Sequence, residues 1–317
     1  MKLLLTHEGT TYDLTEVTGN VVLNTSMETL GASLTFDLAR NYHDANFATC
    51  EKISVGDVIA LSNEKELFKG VVLDITTSKF VKNIKCLDYC FYLNKNKILK
   101  QFEEISASDA IKQLLQEAQA PIGTISSFAT SISKIYNSNT VAEIIDDILN
   151  QVNNELGTKY LLEFEDNKFN VVPFKKINVQ FRYKHTSEES LTESILEMKN
   201  SILVISNEQD DTEILATAKD EENIKKYGSL QEIISVSPDE DEAKVRNIAK
   251  TKLKELNKVF KTGNIKGFGD DNFRAGKVIK LDNAVFGFIG DYLIKSCSHT
   301  WVKGEHLVTL EVEQYNE

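Results

Sequence analysis

Proline is nearly missing from this chain, with three residues in 317. That scarcity argues against long disordered linkers, which are enriched in proline. Tryptophan occurs once, as Trp301, and cysteine four times, as Cys50, Cys86, Cys90 and Cys297. A disulfide framework is not expected in a chain this large without an export signal. The N-terminal MKLLLTHEGT has only three consecutive leucines, too few for the core of a signal peptide. No apolar run approaches the roughly 18 residues that a membrane span requires. The expectation is a protein made in the cytoplasm with free thiols.

Positive charge is also in deficit. Lysine and arginine number 36 against 48 acidic residues, a net charge of -12. Such a chain repels nucleic acid, because phosphate binding depends on basic side chains neutralising the backbone. The acidic residues are spread along the chain, as on an ordinary solvated surface. Familiar catalytic signatures are missing too: there is no phosphate loop, no G-x-S-x-G and no H-E-x-x-H.

What is present is globular. Hydrophobic residues make up 41% and charged residues 26%, enough for a substantial core and one or two domains. The first hundred residues predict strands at VTGNVVLNT, ASLTFDLAR, GDVIALSN, LFKGVVLDITT and VKNIKCLDYCFYL, with a turn at Asn63–Lys65. The period then changes. Ser106 with Asp109, and Thr140 with Glu143, read as helix starts, and Gly157 as a helix end. Residues 100–157 therefore read as a helical insertion. Strands return at KYLLEFEDNKFNVVPF, with a turn at Asp166-Asn167. Ser190 and Glu193 predict a short helix; SILVIS, EILATA and SLQEIISVS predict strands. Ser237-Pro238-Asp239-Glu240 opens a helix expected over about 238–260, with Ala243, Ile248, Ala249, Leu253 and Leu256 for packing. From Phe268 to Glu313 the pattern is strand again, with Val308, Leu310 and Val312 on the core face and a turn at Lys303-Gly304.

The most informative feature is an internal repeat. Residues 53–78 align without a gap on 273–298, an offset of 220, with nine of 26 positions identical. The identities include Gly56/Gly276, Val58/Val278, Ile59/Ile279, Leu61/Leu281, Phe68/Phe288 and Gly70/Gly290. The reading is one β unit used twice: a glycine turn, a V-I-x-L strand, a second turn and an F-x-G return strand.

Candidate chemistry is weak beside structural explanations. Cys297 and His299 share one face of a strand, but no third group orients them; a buried thiol beside an imidazole explains the pair better. Cys86 and Cys90 lack the second ligand pair of a zinc site and, with Asp88, are expected to line one side of a strand. Asp270-Asp271-Asn272 lacks calcium-loop spacing and reads as a turn. Glu163, Glu165 and Asp166 could be imagined as glycosidase carboxylates, but a solvated hairpin tip is the simpler reading. Trp301 reads as a packing anchor rather than an exposed binding aromatic. No catalytic, cofactor-binding or metal-binding residue is assigned, and no cofactor is expected.

Two stretches carry a family resemblance. S-V-G-D-V-I-A-L with L-F-K-G-V-V resembles the first domain of phage baseplate hub proteins. F-R-A-G-K-V-I-K-L, G-D-Y-L-I-K-S-C-S-H-T-W and G-E-H-L-V-T-L-E-V-E resemble the end of the Bacillus defective-phage tail family that includes XkdQ and YqbQ. SLTESILEMKNSILVI and YGSLQEIISV fit the middle of that family. Its relatives include late control protein D of contractile phages, R-type bacteriocin hubs and the N-terminal part of type VI spike proteins.

The resemblance implies an α+β fold with two duplicated tube-like antiparallel β-barrel domains and helical insertions. The expected domains are 1–99, an N-terminal β-barrel; 100–172, a helical insertion with a β-hairpin; and 173–317, a second β-barrel with an inserted helix. It also implies a homotrimeric, non-enzymatic hub joining the hexameric tail tube, or a tube initiator, to a trimeric central spike. Baseplate and LysM-type tail proteins would be neighbours. DNA would pass through the channel without specific binding, and nothing would insert stably in a membrane. Assembly would occur in the bacterial cytoplasm, followed by residence in a virion or an extracellular tail-like particle. The chain stops at Glu317, just after the last strand, so no appended enzyme is expected. The alternative is a cell-wall-degrading, carbohydrate-active tail enzyme.

Overall fold

The computed structural model describes residues 1–40, 46, 52–177, 188–206, 213–236, 241–302 and 304–315. The chain begins with strands β1 (Lys2–His7), β2 (Thr10–Asp13), β3 (Thr18–Ser26), β4 (Ala32–Ala39), β5 (Val58–Ser62), β6 (Glu66–Thr77) and β7 (Val81–Asp88), closed by helix α1 (Cys90–Lys95). The middle alternates: β8 (Lys97–Ser106), α2 (Ala107–Glu117), β9 (Ile122–Ile125), β10 (Ser131–Thr140), α3 (Val141–Leu156), β11 (Tyr160–Glu165) and β12 (Lys168–Pro173). Then come β13 (Lys175–Lys176), β14 (Glu188–Ser194), β15 (Ser201–Ser206), β16 (Ile214–Lys219), α4 (Glu221–Tyr227), β17 (Gln231–Val236) and α5 (Glu242–Leu256). Four long strands finish the fold: β18 (Phe260–Phe268), β19 (Lys277–Asn283), β20 (Phe288–Val302) and β21 (Glu305–Gln314). The protein is α+β and mostly antiparallel.

Among the described residues thirteen strands make one sheet, with the main path β14-β18-β21-β20-β3-β4-β7-β6-β5-β1-β2. Alternation explains its sidedness. Val21 and Leu23 of β3, Leu34, Phe36 and Leu38 of β4, and Val308, Leu310 and Val312 of β21 are all buried, with less buried residues between them. The sheet contains two sets of five strands with one pairing order. In chain order within each set, the first strand pairs the second, the second the fifth, the fifth the fourth, and the fourth the third. The sets are β3 to β7 and β14 with β18 to β21. Among the described residues neither set closes on itself through hydrogen bonds. The first continues into β1 and β2, and in the second β13 runs parallel to β19.

The two hairpins of the sequence repeat match in one arm and slip in the other. Gly56 and Gly276 both have positive φ, 95° and 82°. Asp57 N–H bonds Ser54 O and Lys277 N–H bonds Arg274 O, positions 220 apart in both donor and acceptor. Val58, however, faces Val71, while Val278 faces Leu293, so the partners are 222 apart. The turns differ: three residues and a bulge beside Leu61 in one, and four residues, Ala284–Gly287, in the other. The gapless alignment of Phe68 with Phe288 therefore does not survive in the pairing register, although both rings are buried.

Strand β20 joins the sets. Its first half pairs β19 and its second half pairs β3, while β21 lies along its other edge. Trp301, near its end, is 7% exposed and packs in the apolar cluster of the first set with Leu3, Leu23, Phe36 and Ile59. A second cluster holds Phe273, Ile279, Phe288, Tyr292 and Leu310. The middle region has its own, where α2 and α3 bury Ile111, Leu114, Ile144, Ile148 and Val152 against Phe169. Helix α3 starts at a complete capping box of Thr140 with Glu143 and ends at Gly157 in the left-handed conformation. A small cluster joins Ile202 and Val204 of β15 to Val245, Ile248 and Ala249 of α5.

Several local expectations are corrected. Ser190 to Glu193 belongs to strand β14, because Glu193 and Glu188 face Lys261 and Lys266 of β18 across the ladder and pair with them. Cys90 opens helix α1 and does not extend β7, since Asp88 accepts the Cys90 N–H and turns the chain. Residues 100–157 are not purely helical: β8 and β10 form a two-stranded sheet there. The last helix is Glu242–Leu256, with Asp241 accepting from Ala243 and Lys244; Ser237 to Glu240 lie outside the described residues. Val245 packs where Ala243 was expected, and Ala243 is exposed. Helix α4, capped by Asp220, was not anticipated. The turn residue Lys303 lies outside the described residues, and Gly304 has φ 83°.

Candidate functional site

The Cys297–His299 pair does come together. Both side chains are buried, and Cys297 Sγ lies 3.2 Å from His299 Nε2. The same Nε2 lies 2.9 Å from the carbonyl of Phe273. A carbonyl only accepts, so Nε2 carries the proton and has no lone pair to offer the thiol. His299 Nδ1 then accepts from His306 Nε2, 2.9 Å away. Burial pushes the Cys297 thiol up to about 12 and the His299 imidazole down to about 3. Thiol and imidazole are both neutral near pH 7, the opposite of an activated Cys–His nucleophile.

The arrangement instead holds a loop. His306 donates to His299, and His299 donates to the Phe273 carbonyl, so strands β20 and β21 fix the segment before β19. Gly269 N–H also donates to His306 O at 2.8 Å. A Cβ at Gly269 would meet His306 Nε2 at 2.3 Å, so only glycine lets the backbone approach the ring. Trp301 stacks on His306 with centroids 4.4 Å apart. It is a packing anchor.

The other candidates are also occupied structurally. Asp270 Oδ1 accepts from the backbone and side chain of Asn272, making a turn. That turn meets the first hairpin: Asn63 Nδ2 lies 3.4 Å from Asp271, and Lys65 Nζ lies 3.0 Å from Asn272. Cys86 is buried and pushed up to about 12 by burial; Cys90 is likewise held well above the usual range by burial, with Asp88 adding to it. Cys50 lies outside the described residues. Among the described residues, no group of three or more His, Cys, Asp or Glu side chains could hold a metal ion. Glu163 pairs with buried Lys277 at 2.6 Å, and Glu165 stands 3.8 Å from the same ammonium. Asp166 and Asn167 form the turn, both with positive φ.

Two residues at the junction escaped the sequence reading in role. Asp88 is buried, accepts from Ala32 N–H and Cys90 N–H, and is raised to about 6 by burial. Arg274, one of four arginines in the chain, donates through Nη2 to the Leu67 carbonyl across the two strand sets. The rarity of arginine beside 32 lysines was the available signal. Both residues line a cavity of about 420 Å³ between the sets and helix α3.

The fold has known counterparts. A 43 kDa tail protein of prophage MuSo2 from Shewanella oneidensis superposes with a TM-score of 0.74 at 11% identity, covering 98% of each chain. An E. coli type VI secretion component, described as structurally similar to the T4 tail proteins gp27 and gp5, gives 0.55 at 10% identity, covering 95% of this chain and 74% of that one. At these identities the likeness is one of fold. In sequence, the phage-like element PBSX protein XkdQ of Bacillus subtilis is 24% identical over 283 residues, 84% of each protein. The YQBQ-like family model matches residues 21–313, and the chain belongs to that family.

Proposed function

We propose that the chain is a structural baseplate hub of a phage tail or phage-tail-like bacteriocin. In this reading it is a homotrimeric adaptor between a hexameric tail tube and a trimeric central spike. The observation that carries the reading is the shared pairing order of the two strand sets. One chain with two similar β units lets three chains present six, which matches threefold to sixfold symmetry. Each set is read as a barrel-like unit, within the divisions 1–99, 100–172 and 173–317. The tail-protein folds and the XkdQ relative support the same assignment.

Strand β14 stands at one end of the main sheet path among the described residues, a position that suits contact with a neighbouring chain. The net charge of -12 suits a channel wall along which DNA slides without sticking. The protein is read as non-enzymatic, because the residues weighed for chemistry each serve a local structural bond. A cell-wall-cleaving enzyme would need a carboxylate pair free for proton transfer, whereas Glu163 is held by Lys277 at 2.6 Å.

Native mass spectrometry tests the reading. A stable trimer of the 35.7 kDa chain is expected, alone or on mixing with a trimeric spike protein. A protein that stays monomeric with both tube and spike partners overturns the adaptor.

A further inference from the structure

The two strand sets meet inside the chain at one sheet junction. There the second half of β20, Ser296 to Trp301, runs antiparallel to β3, with Ser298 opposite Asn24 and His299 opposite Leu23. In its set β20 is the fourth strand, and β3 is the first strand of the other. The corresponding strands are β6, fourth of the first set, and β14, first of the second. The match between β6 and β20 extends to detail. The ladder of β20 with β21 is irregular between Ile294 and Ser296, and that of β6 with β7 between Val72 and Asp74, 222 positions earlier at both residues. Just before each irregularity a turn glycine caps the strand: Gly276 N–H donates to Ile294 O, and Gly56 N–H to Val72 O.

Beyond that point the two strands differ in what they meet. Ser296 to Trp301 has β3 on its outer edge. Among the described residues no strand pairs the outer edge of Asp74 to Thr77, because the ladder of β6 with β5 stops at Val71. Strand β14 pairs β18 on one edge and, among the described residues, no strand on the other. Ser78 N–H donates to Val81 O on the β7 side, so by alternation the N–H and C=O groups of Ile75 and Thr77 point away from β7. Such an edge is a template for pairing with another chain.

We propose that these two edges meet between copies: the second half of β6 in one chain pairs antiparallel with β14 of the next, repeating the β20–β3 junction. This rests on the trimeric reading above, and three such contacts close the sheets of three chains into a ring. The register follows from the ladders. Val72 faces Cys86, Cys86 faces Leu34 and Leu34 faces Leu23; in the other set Ile294 faces Val312, Val312 faces Gly263 and Gly263 faces Leu191. Leu23 and Leu191 therefore hold the same place. Thr77 lies opposite Leu191 of the next chain as His299 lies opposite Leu23, Thr76 opposite Thr192, and Lys79 opposite Glu189. The last pair sets opposite charges face to face, which favours this register over its neighbours. Phe80, 56% exposed, and Leu196, 86% exposed, stand just beyond the two ends of the contact, where a neighbouring chain would cover them.

Disulfide trapping tests the register. Thr76 and Thr192 are both exposed and would form a non-hydrogen-bonded pair, about 4.5 Å apart at Cα and within disulfide reach. The full chain carrying C50S, T76C and T192C is oxidised as the oligomer that native mass spectrometry identifies, alone or on a trimeric spike protein. Covalent dimers and trimers are expected on a non-reducing gel. Each single cysteine variant, and the pair T76C/S190C two residues out of register, should stay at the mass of one chain. A second variant, T77P, removes an N–H that points away from β7 and leaves that ladder intact. It should keep the circular dichroism and denaturation midpoint of the native chain and lose the oligomer. Should T77P fail to fold, the disulfide pattern decides. An oligomer that gives no T76C/T192C cross-link, or equal cross-linking out of register, overturns the pairing and leaves the hub reading standing. So does a folded T77P that assembles as the native chain does. A chain that stays monomeric in every mixture overturns both.

Discussion

His306 Nε2 donates to His299 Nδ1 across 2.9 Å, on neighbouring strands joined by a tight turn. That single bond decides how the most reactive-looking residues of the chain behave. It occupies the lone pair of His299, and the Phe273 carbonyl occupies its proton. Removing the ring with His299→Ala leaves a cavity and takes the imidazole donor away from the Phe273 carbonyl. The expected loss is roughly 2–4 kcal/mol of stability, read by urea denaturation. A loss below about 0.5 kcal/mol would remove the claim that the relay holds the loop.

Cys297 should be inert in the native state. Its thiol is buried and raised to about 12 by burial, so little thiolate exists at pH 8. Iodoacetamide should leave it unmodified in the folded protein and label it in urea, as peptide mass spectrometry would show. Rapid native labelling would contradict the neutral pair.

Acid should weaken the fold through His299. Its folded pKa of about 3 lies below the ordinary 6.5, so the unfolded chain binds the proton first. The contribution is complete above 6.5 and is lost as pH falls toward 3. Asp88 acts oppositely: its folded value of about 6 exceeds the ordinary 3.8, so its contribution is present below 3.8 and fades as pH rises through 6. D88N should therefore remove the opposing contribution and make the acid decline steeper between about pH 6 and 4, measured by denaturation midpoints. An unchanged slope in D88N would show that Asp88 is not titrating in this window.

Lys277 holds two carboxylates, so K277M should cost more than its packing suggests. The expected loss is about 2–4 kcal/mol at pH 7, because Glu163 is left without its cation in a partly buried place. K277M/E163Q should recover much of it, and a double-mutant cycle gives the coupling. Additive effects would mean that the pair is not coupled.

Gly269 should reject alanine. The new Cβ would press on the His306 ring and displace it from His299, costing roughly 1–3 kcal/mol. G269A should also disturb the His299 ring signals in NMR. A neutral substitution would show that the loop has room to shift.

Local chemistry was legible where a feature depends on residues close in sequence. Ser106 with Asp109 and Thr140 with Glu143 cap helices as their spacing predicts. Asp166-Asn167 makes its turn, and Val308, Leu310 and Val312 take the core face. The Ser190–Glu193 pattern failed because it is equally a strand pattern once lysines stand opposite. Those lysines are about 70 residues away, on β18.

The sequence by itself determined the helix caps, the alternation of the long strands and the Gly56 and Gly276 turns, since each is set by steric and hydrogen-bond rules within a few residues. Tertiary structure alone decided that β20 pairs β3. It also decided that the proton of His299 belongs to the Phe273 carbonyl. These outcomes depend on which surfaces meet when the core is buried, and partners 26 to more than 200 residues away leave no local mark in the chain.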